Sequence, residues 1–176
     1  MEFILRRNLI KLIREKYAIT DNAGNECFFI ESEINVLKRY VLEDLNGNPL
    51  LLMKKRYWRF FARWDVKNAD GQTLFIIKRR KIPFVKKFTI KNISEENPAK
   101  YEVDGKVLAW NLKITKDDEI IATIKRSLTK LASTYSVNVE EEKETLRCLA
   151  IAIVVDAICH PRVRNRGGFI SSLLGR

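Results

Sequence analysis

One unit recurs along this chain: a basic connector ending in an aromatic residue, a strand, an Asp/Asn-Gly turn and a second apolar strand. Three copies are plain, at Tyr17-Ala-Ile-Thr-Asp-Asn-Ala-Gly, Tyr40-Val-Leu-Glu-Asp-Leu-Asn-Gly and Trp64-Asp-Val-Lys-Asn-Ala-Asp-Gly, with glycines at 24, 47 and 71. Fainter copies start at Phe88 and Leu112. Such self-similarity means one supersecondary unit used repeatedly, which buries its apolar face only when its neighbours are in place.

Each copy reads as a β-hairpin, because runs rich in Ile, Val, Phe, Tyr, Trp and Thr flank glycine-containing turns. Asp104-Gly105 marks another hairpin, between Tyr101-Glu-Val and Lys106-Val-Leu-Ala-Trp110. Counting through Ser136-Val-Asn-Val139 gives about a dozen strands, more than an ordinary open sheet holds. A sheet that wide closes or splits.

The pattern changes after Val139. Acids at Glu140, Glu141, Glu142 and Glu144 precede a run that is apolar nearly all round from Leu146 to Cys159, ending in His160 and Pro161. Acids at the start and a proline stop are helix-end signals, so a helix is expected over about 141–160. A helix without a polar face must be surrounded on every side. The run of about 14 apolar residues, interrupted by Arg147 and Asp156, falls short of the roughly 20 that a bilayer span requires. The fold expected is therefore mainly β, a closed antiparallel barrel of about twelve strands around a central C-terminal hydrophobic helix. The domain is expected over 1–161, with 162–176 as a basic flexible tail.

The segments Ala18-Ile-Thr-Asp-Asn-Ala-Gly-Asn25, Leu42-Glu-Asp-Leu-Asn-Gly-Asn-Pro-Leu-Leu-Leu-Met-Lys-Lys-Arg56 and Ala150-Ile-Ala-Ile-Val-Val-Asp-Ala-Ile-Cys-His160 resemble the LURP-one-related family. That family sits in the tubby C-terminal-like superfamily with the phospholipid scramblases. The resemblance implies the same twelve-stranded barrel around a central helix, and lipid as a recurring ligand class. It carries over no site residue: the scramblases' alternating aspartates for calcium are absent, and no cation here aligns with the tubby phosphoinositide site.

Charge sharpens the partner class. At 176 residues and 46% hydrophobic the chain can bury one substantial core, and its net charge of +11 calls for an anionic partner. The connectors over 4–17, 30–40, 52–64, 76–88 and 124–135 hold 21 of the 33 Lys and Arg but three of the 22 acids, or +18. The remaining 12 basic and 19 acidic residues give −7. Alternate connections of an up-and-down barrel emerge at one end, so a basic connector rim should oppose a turn rim carrying Asp21, Asp44, Asp70, Asp117 and Asp118.

Two connectors interleave cations with aromatics, and they supply the expected anion-binding residues: Lys54, Lys55, Arg56, Arg59, Lys78, Arg79, Arg80, Lys81, Lys86 and Lys87. That composition suits an acidic phospholipid surface. It equally suits single-stranded nucleic acid, with aromatics stacked on bases. A third reading puts the aromatics in the core and leaves the chain a protein-interaction scaffold whose cations keep sheet edges solvated.

Catalytic machinery is not evident. His160 is the sole histidine, and its four-residue spacing from Asp156 fits a local hydrogen bond better than an acid–base or metal pair. The glutamates at 140–144 need only the helix dipole to explain them. No His/Cys set has zinc spacing, and no Gly-rich loop precedes a helix. Cys27, Cys148 and Cys159 are an odd number without a CxxC, and the chain opens without a secretory pattern. The expectation is a non-enzymatic protein without catalytic residue, metal site or cofactor, cytoplasmic or peripheral at the membrane.

Overall fold

A computed structural model describes residues 1–8, 14–33, 39–58, 61–79, 88–93, 99–106, 111–128 and 132–159. Twelve strands run through them: β1 (Glu2–Asn8), β2 (Arg14–Asp21), β3 (Glu26–Glu33), β4 (Arg39–Glu43), β5 (Pro49–Trp58), β6 (Phe61–Lys67), β7 (Thr73–Arg79), β8 (Phe88–Asn92), β9 (Tyr101–Lys106), β10 (Asn111–Lys116), β11 (Glu119–Leu128) and β12 (Ala132–Val139). Each pairs antiparallel with its neighbours in sequence, and β1 also pairs with β12 from Glu2↔Asn138 to Asn8↔Ala132. The sheet is a closed barrel without edges.

The five copies of the repeat are the five hairpins β2–β3, β4–β5, β6–β7, β8–β9 and β10–β11. Three have the same turn. Gly24, Gly47 and Gly71, at φ of 88°, 84° and 83°, each donate an N–H to the carbonyl of Asp21, Asp44 or Asn68 at 3.1 Å. The same Asp or Asn side chain accepts the backbone N–H of Asn25, Asn48 or Gln72. Glycine supplies the left-handed backbone and the short polar side chain fastens the loop, so the motif repeats because its geometry does.

Asp104-Gly105 does not turn the chain. Both residues lie within β9, and the reversal comes between Lys106 and Asn111. Gly105 faces Leu112 across the ladder, and a Cβ there would stand 2.3 Å from the Asn111 carbonyl oxygen. The glycine permits close backbone approach between two strands, which a sequence shows in the same letters as a turn. The reversal adds a sixth connection to the five basic ones, at the same end of the barrel.

The helix α1 (Thr145–Cys159) follows a 3-10 turn at Glu142–Glu144, so the acids occupy the turn ahead of the helix rather than its first turn. From Cys148 to Ala157 every residue is buried. The helix contacts β12 and, across the ring, β5 and β6, as a rod inside the barrel must. Inward residues of the strands, such as Ile19, Leu42, Met53, Trp64, Ile114 and Val137, complete one continuous core with it.

Polar contacts fix the helix at both ends. Near its start the Glu144 carboxylate is 5% exposed and accepts from Tyr101 Oη at 2.9 Å and Lys116 Nζ at 2.8 Å. Arg147 lies 3.4 Å from Glu144, covers the rings of Tyr101 and Phe75, and donates to Asn92 Oδ1 at 2.6 Å. Near the other end the buried Asp156 accepts from the Tyr135 hydroxyl. The helix thus runs from the turn end to the connector end. The expected partner of Asp156, His160, and the segment 162–176 lie outside the described residues. No helix among the described residues is long and apolar enough to cross a membrane.

Candidate anion-binding site

Strand periodicity decides where the connector cations point. Met53, Trp64, Val66 and Ile77 are buried inside the barrel, so their neighbours in sequence face outward. Lys54 and Arg56 of β5, Arg63 and Asp65 of β6, and Lys78 of β7 therefore share the outer wall. Cross-strand register sets them in two rows. One runs Arg39–Lys54–Asp65–Ile76–Lys91 across β4 to β8. The next, nearer the connector end, runs Arg56–Arg63–Lys78–Thr89 across β5 to β8.

The centre of this patch is a single acid. Asp65 is 2% exposed, although its strand position faces outward. Arg56 Nε donates to its Oδ2 and Arg63 Nε to its Oδ1, both at 2.8 Å. Burial alone would raise its pKa, but the two guanidinium hydrogen bonds and charges hold it below the ordinary value of 3.8. Asp65 thus stays ionised and grips both arginines by the inner nitrogen. Their terminal Nη groups make no hydrogen bond among the described residues, and the side chains are 57% and 38% exposed.

The patch occupies one sector of the barrel. From β4 to β8 the outer wall carries seven cations, Arg39, Lys54, Arg56, Arg63, Lys67, Lys78 and Lys91, and two buried acids, Asp65 among them and Glu43 on β4 toward the turn end. Elsewhere Arg6, Lys113 and Lys125 share the wall with Glu2, Glu31, Glu102 and Asp104. At the opposite, turn end stand Asp21, Asp44, Asp70, Asp117 and Asp118. Among the described residues charge is therefore uneven around the barrel; the connector rim itself lies outside them.

Of the expected site residues, Lys54, Arg56 and Lys78 come together on this wall. Lys55 does not: it pairs with Trp64 in the inward register and is half-buried. Arg79 is exposed but shares the inward register of Phe75 and Ile77, at the mouth opposite Phe88. Arg59, Arg80, Lys81, Lys86 and Lys87 lie outside the described residues. Sequence reasoning left out Arg63 and Asp65. The alternation Arg63-Trp64-Asp65-Val66-Lys67 carried the signal, because apolar residues at 64 and 66 put the three charged ones on one face.

Two aromatics of the basic connectors, Trp64 and Phe88, are 1% exposed and belong to the core. Among the described residues no group of three or more His, Cys, Asp and Glu side chains could hold a metal ion.

The barrel has known counterparts. A sequence model of the LURP-one-related family matches residues 1–156. An Arabidopsis thaliana protein solved by X-ray crystallography superposes with a TM-score of 0.57 at 18% identity, over 88% of this chain and 91% of that one. At that identity the likeness speaks to the fold. No curated protein matches the chain.

Proposed function

The chain belongs to the LURP-one-related family, and we propose that this barrel is a non-enzymatic module that binds an anionic surface, acidic phospholipid headgroups foremost, through the outer wall of β4 to β8. The observation that carries the reading is the pair of registered rows, which collects six outward cations, Arg39, Lys54, Lys91, Arg56, Arg63 and Lys78, around the buried Asp65. Like charges directly opposite on a sheet destabilise it. A fold that keeps Arg56, Arg63 and Lys78 in one row gains most when a polyanion neutralises them.

Lys54, Arg56 and Lys78 form the centre of the proposed face. Arg79 stands at the barrel mouth beside it, Lys55 takes the inward register of Trp64, and Arg59, Arg80, Lys81, Lys86 and Lys87 belong by sequence to the connectors that flank it. Among the described aromatic side chains of the two connectors, Trp64 and Phe88 are enclosed and offer no face to a base, which favours lipid over single-stranded nucleic acid.

The test is sedimentation with phosphatidylserine and with phosphatidylcholine vesicles, beside a fluorescence titration with a single-stranded oligonucleotide, at about 0.15 M salt. Retention on the anionic vesicles alone is expected. Tighter binding to the oligonucleotide would replace lipid by nucleic acid, and binding to neither would overturn the reading.

A further inference from the structure

The surface reading treats the cations as a sum of charge, yet three of them are arranged more finely than attraction to a surface requires. Arg56, Arg63 and Lys78 stand directly opposite one another on three adjacent strands, which places their backbones about 4.8 Å apart in sequence across the sheet. Arg63 is the middle member. Both arginines are held at Nε by the two oxygens of Asp65, which leaves their terminal Nη groups without a hydrogen bond among the described residues. An arginine has five N–H donors, and each clamp uses one of them. Lys78 is exposed next to Arg63 and has no ion pair among the described residues.

We propose that Arg56, Arg63 and Lys78, oriented by the buried Asp65, form a subsite for a phosphomonoester. The proposal rests on the reading of this wall as an anion-binding face and names the chemical group it selects. Charge favours the monoester: the three cations and Asp65 sum to +2, against about −1.5 to −2 for a monoester phosphate near neutral pH. Geometry favours it too. A monoester has three terminal oxygens for three neighbouring donors, and the planar edge of arginine matches two of them at once. A phosphodiester has one charge and two free oxygens, so one cation of the row would stay unmatched. Asp65 touches no phosphate in this arrangement. It is a positioning residue that exchanges one unit of attraction for fixed arginines.

That exchange gives a test in which bulk attraction and a built subsite predict opposite signs. Asp65→Asn adds a positive charge to the wall and releases both arginines. Retention is measured on phosphatidylcholine vesicles carrying phosphatidic acid, a monoester, and on vesicles carrying phosphatidylglycerol, a diester, at matched surface potential. Glycerol 3-phosphate serves as the soluble probe, and thermal unfolding checks each variant. The wild type should prefer phosphatidic acid. Asp65→Asn should lose that preference while binding phosphatidylglycerol as well as before or better. Should that variant not fold, the exposed substitutions decide. Arg63→Gln should weaken phosphatidic acid binding by at least about tenfold, and Lys78→Gln by about fivefold, with smaller effects on phosphatidylglycerol.

Competition by glycerol 3-phosphate would identify a soluble phosphomonoester as ligand, and its failure to compete would identify the membrane-presented lipid. Equal wild-type retention on both vesicles, or tighter phosphatidic acid binding by Asp65→Asn, overturns the subsite and leaves the surface reading standing. Retention on neither vesicle overturns both.

Discussion

Substitution to alanine around the circumference of α1 tests the enclosed helix directly. Leu149, Val154 and Val155 are at most 1% exposed. At about 100° per residue they point in three directions roughly 100° to 140° apart. Leu→Ala removes three carbons and Val→Ala two. At about 0.8 kcal/mol per buried CH₂, transfer alone gives about 2.4 kcal/mol for Leu149→Ala and about 1.6 kcal/mol for each valine. Cavity formation adds to this, because a barrel closed by twelve strands cannot collapse onto the gap, so Leu149→Ala should reach about 3–5 kcal/mol. Urea unfolding read by tryptophan fluorescence, with the slope unchanged, gives the comparison. All three variants should be destabilised in proportion to the carbons removed. A helix lying on an outer surface has one tolerant direction, so a near-neutral result at any of the three would refute the enclosed helix.

Three further outcomes follow from the same packing. Glu144→Gln removes the charge that Lys116, Tyr101 and Arg147 surround, and should cost about 1.5–3 kcal/mol in the same assay. Asp65, Asp21 and Asp44 all have pKa values held below 3.8, by hydrogen bonds from arginines or asparagines that outweigh burial. Glu2 and Glu141 are likewise held below 4.5. A depressed folded value stabilises above the ordinary pKa and is lost as pH falls through the folded one, so the melting temperature should begin to fall below about pH 4.5 and fall further below about pH 3.8. The Cys148 thiol is enclosed and pushed up to about 12 by burial, so maleimide should leave it unmodified in the native protein and label it on unfolding. Mass spectrometry separates it from the partly exposed Cys27 and Cys159.

The fold was legible because its signals are local and repeated. Three turns with the same requirement for a left-handed glycine, two fainter copies of the unit, and one helix apolar on every side leave a closed sheet around a rod as the compact solution. Gly105 was misread because a turn glycine and a close-approach glycine share one letter, and only the paired strand tells them apart. The site was legible as composition but not as geometry. Lys54, Lys55 and Arg56 read as one cluster, yet the pleat sends Lys55 toward the lumen and its neighbours to the outer wall. Asp65 follows directly on the basic connector over 52–64. Its two arginine partners lie two residues away along β6 and across the ladder on β5, a relation that register alone discloses.

The central claim is that the position of the cations, and not their sum, makes the binding face. Two triple variants with the same change in charge decide it: Arg56, Arg63 and Lys78 all changed to Gln, and Arg6, Lys113 and Lys125 all changed to Gln. Each is sedimented with phosphatidylserine vesicles at about 0.15 M salt. At about 1 kcal/mol per cation near an anionic surface, the first should lose retention by on the order of a hundredfold. The second should bind as the wild type does. Equal losses from both would contradict the account.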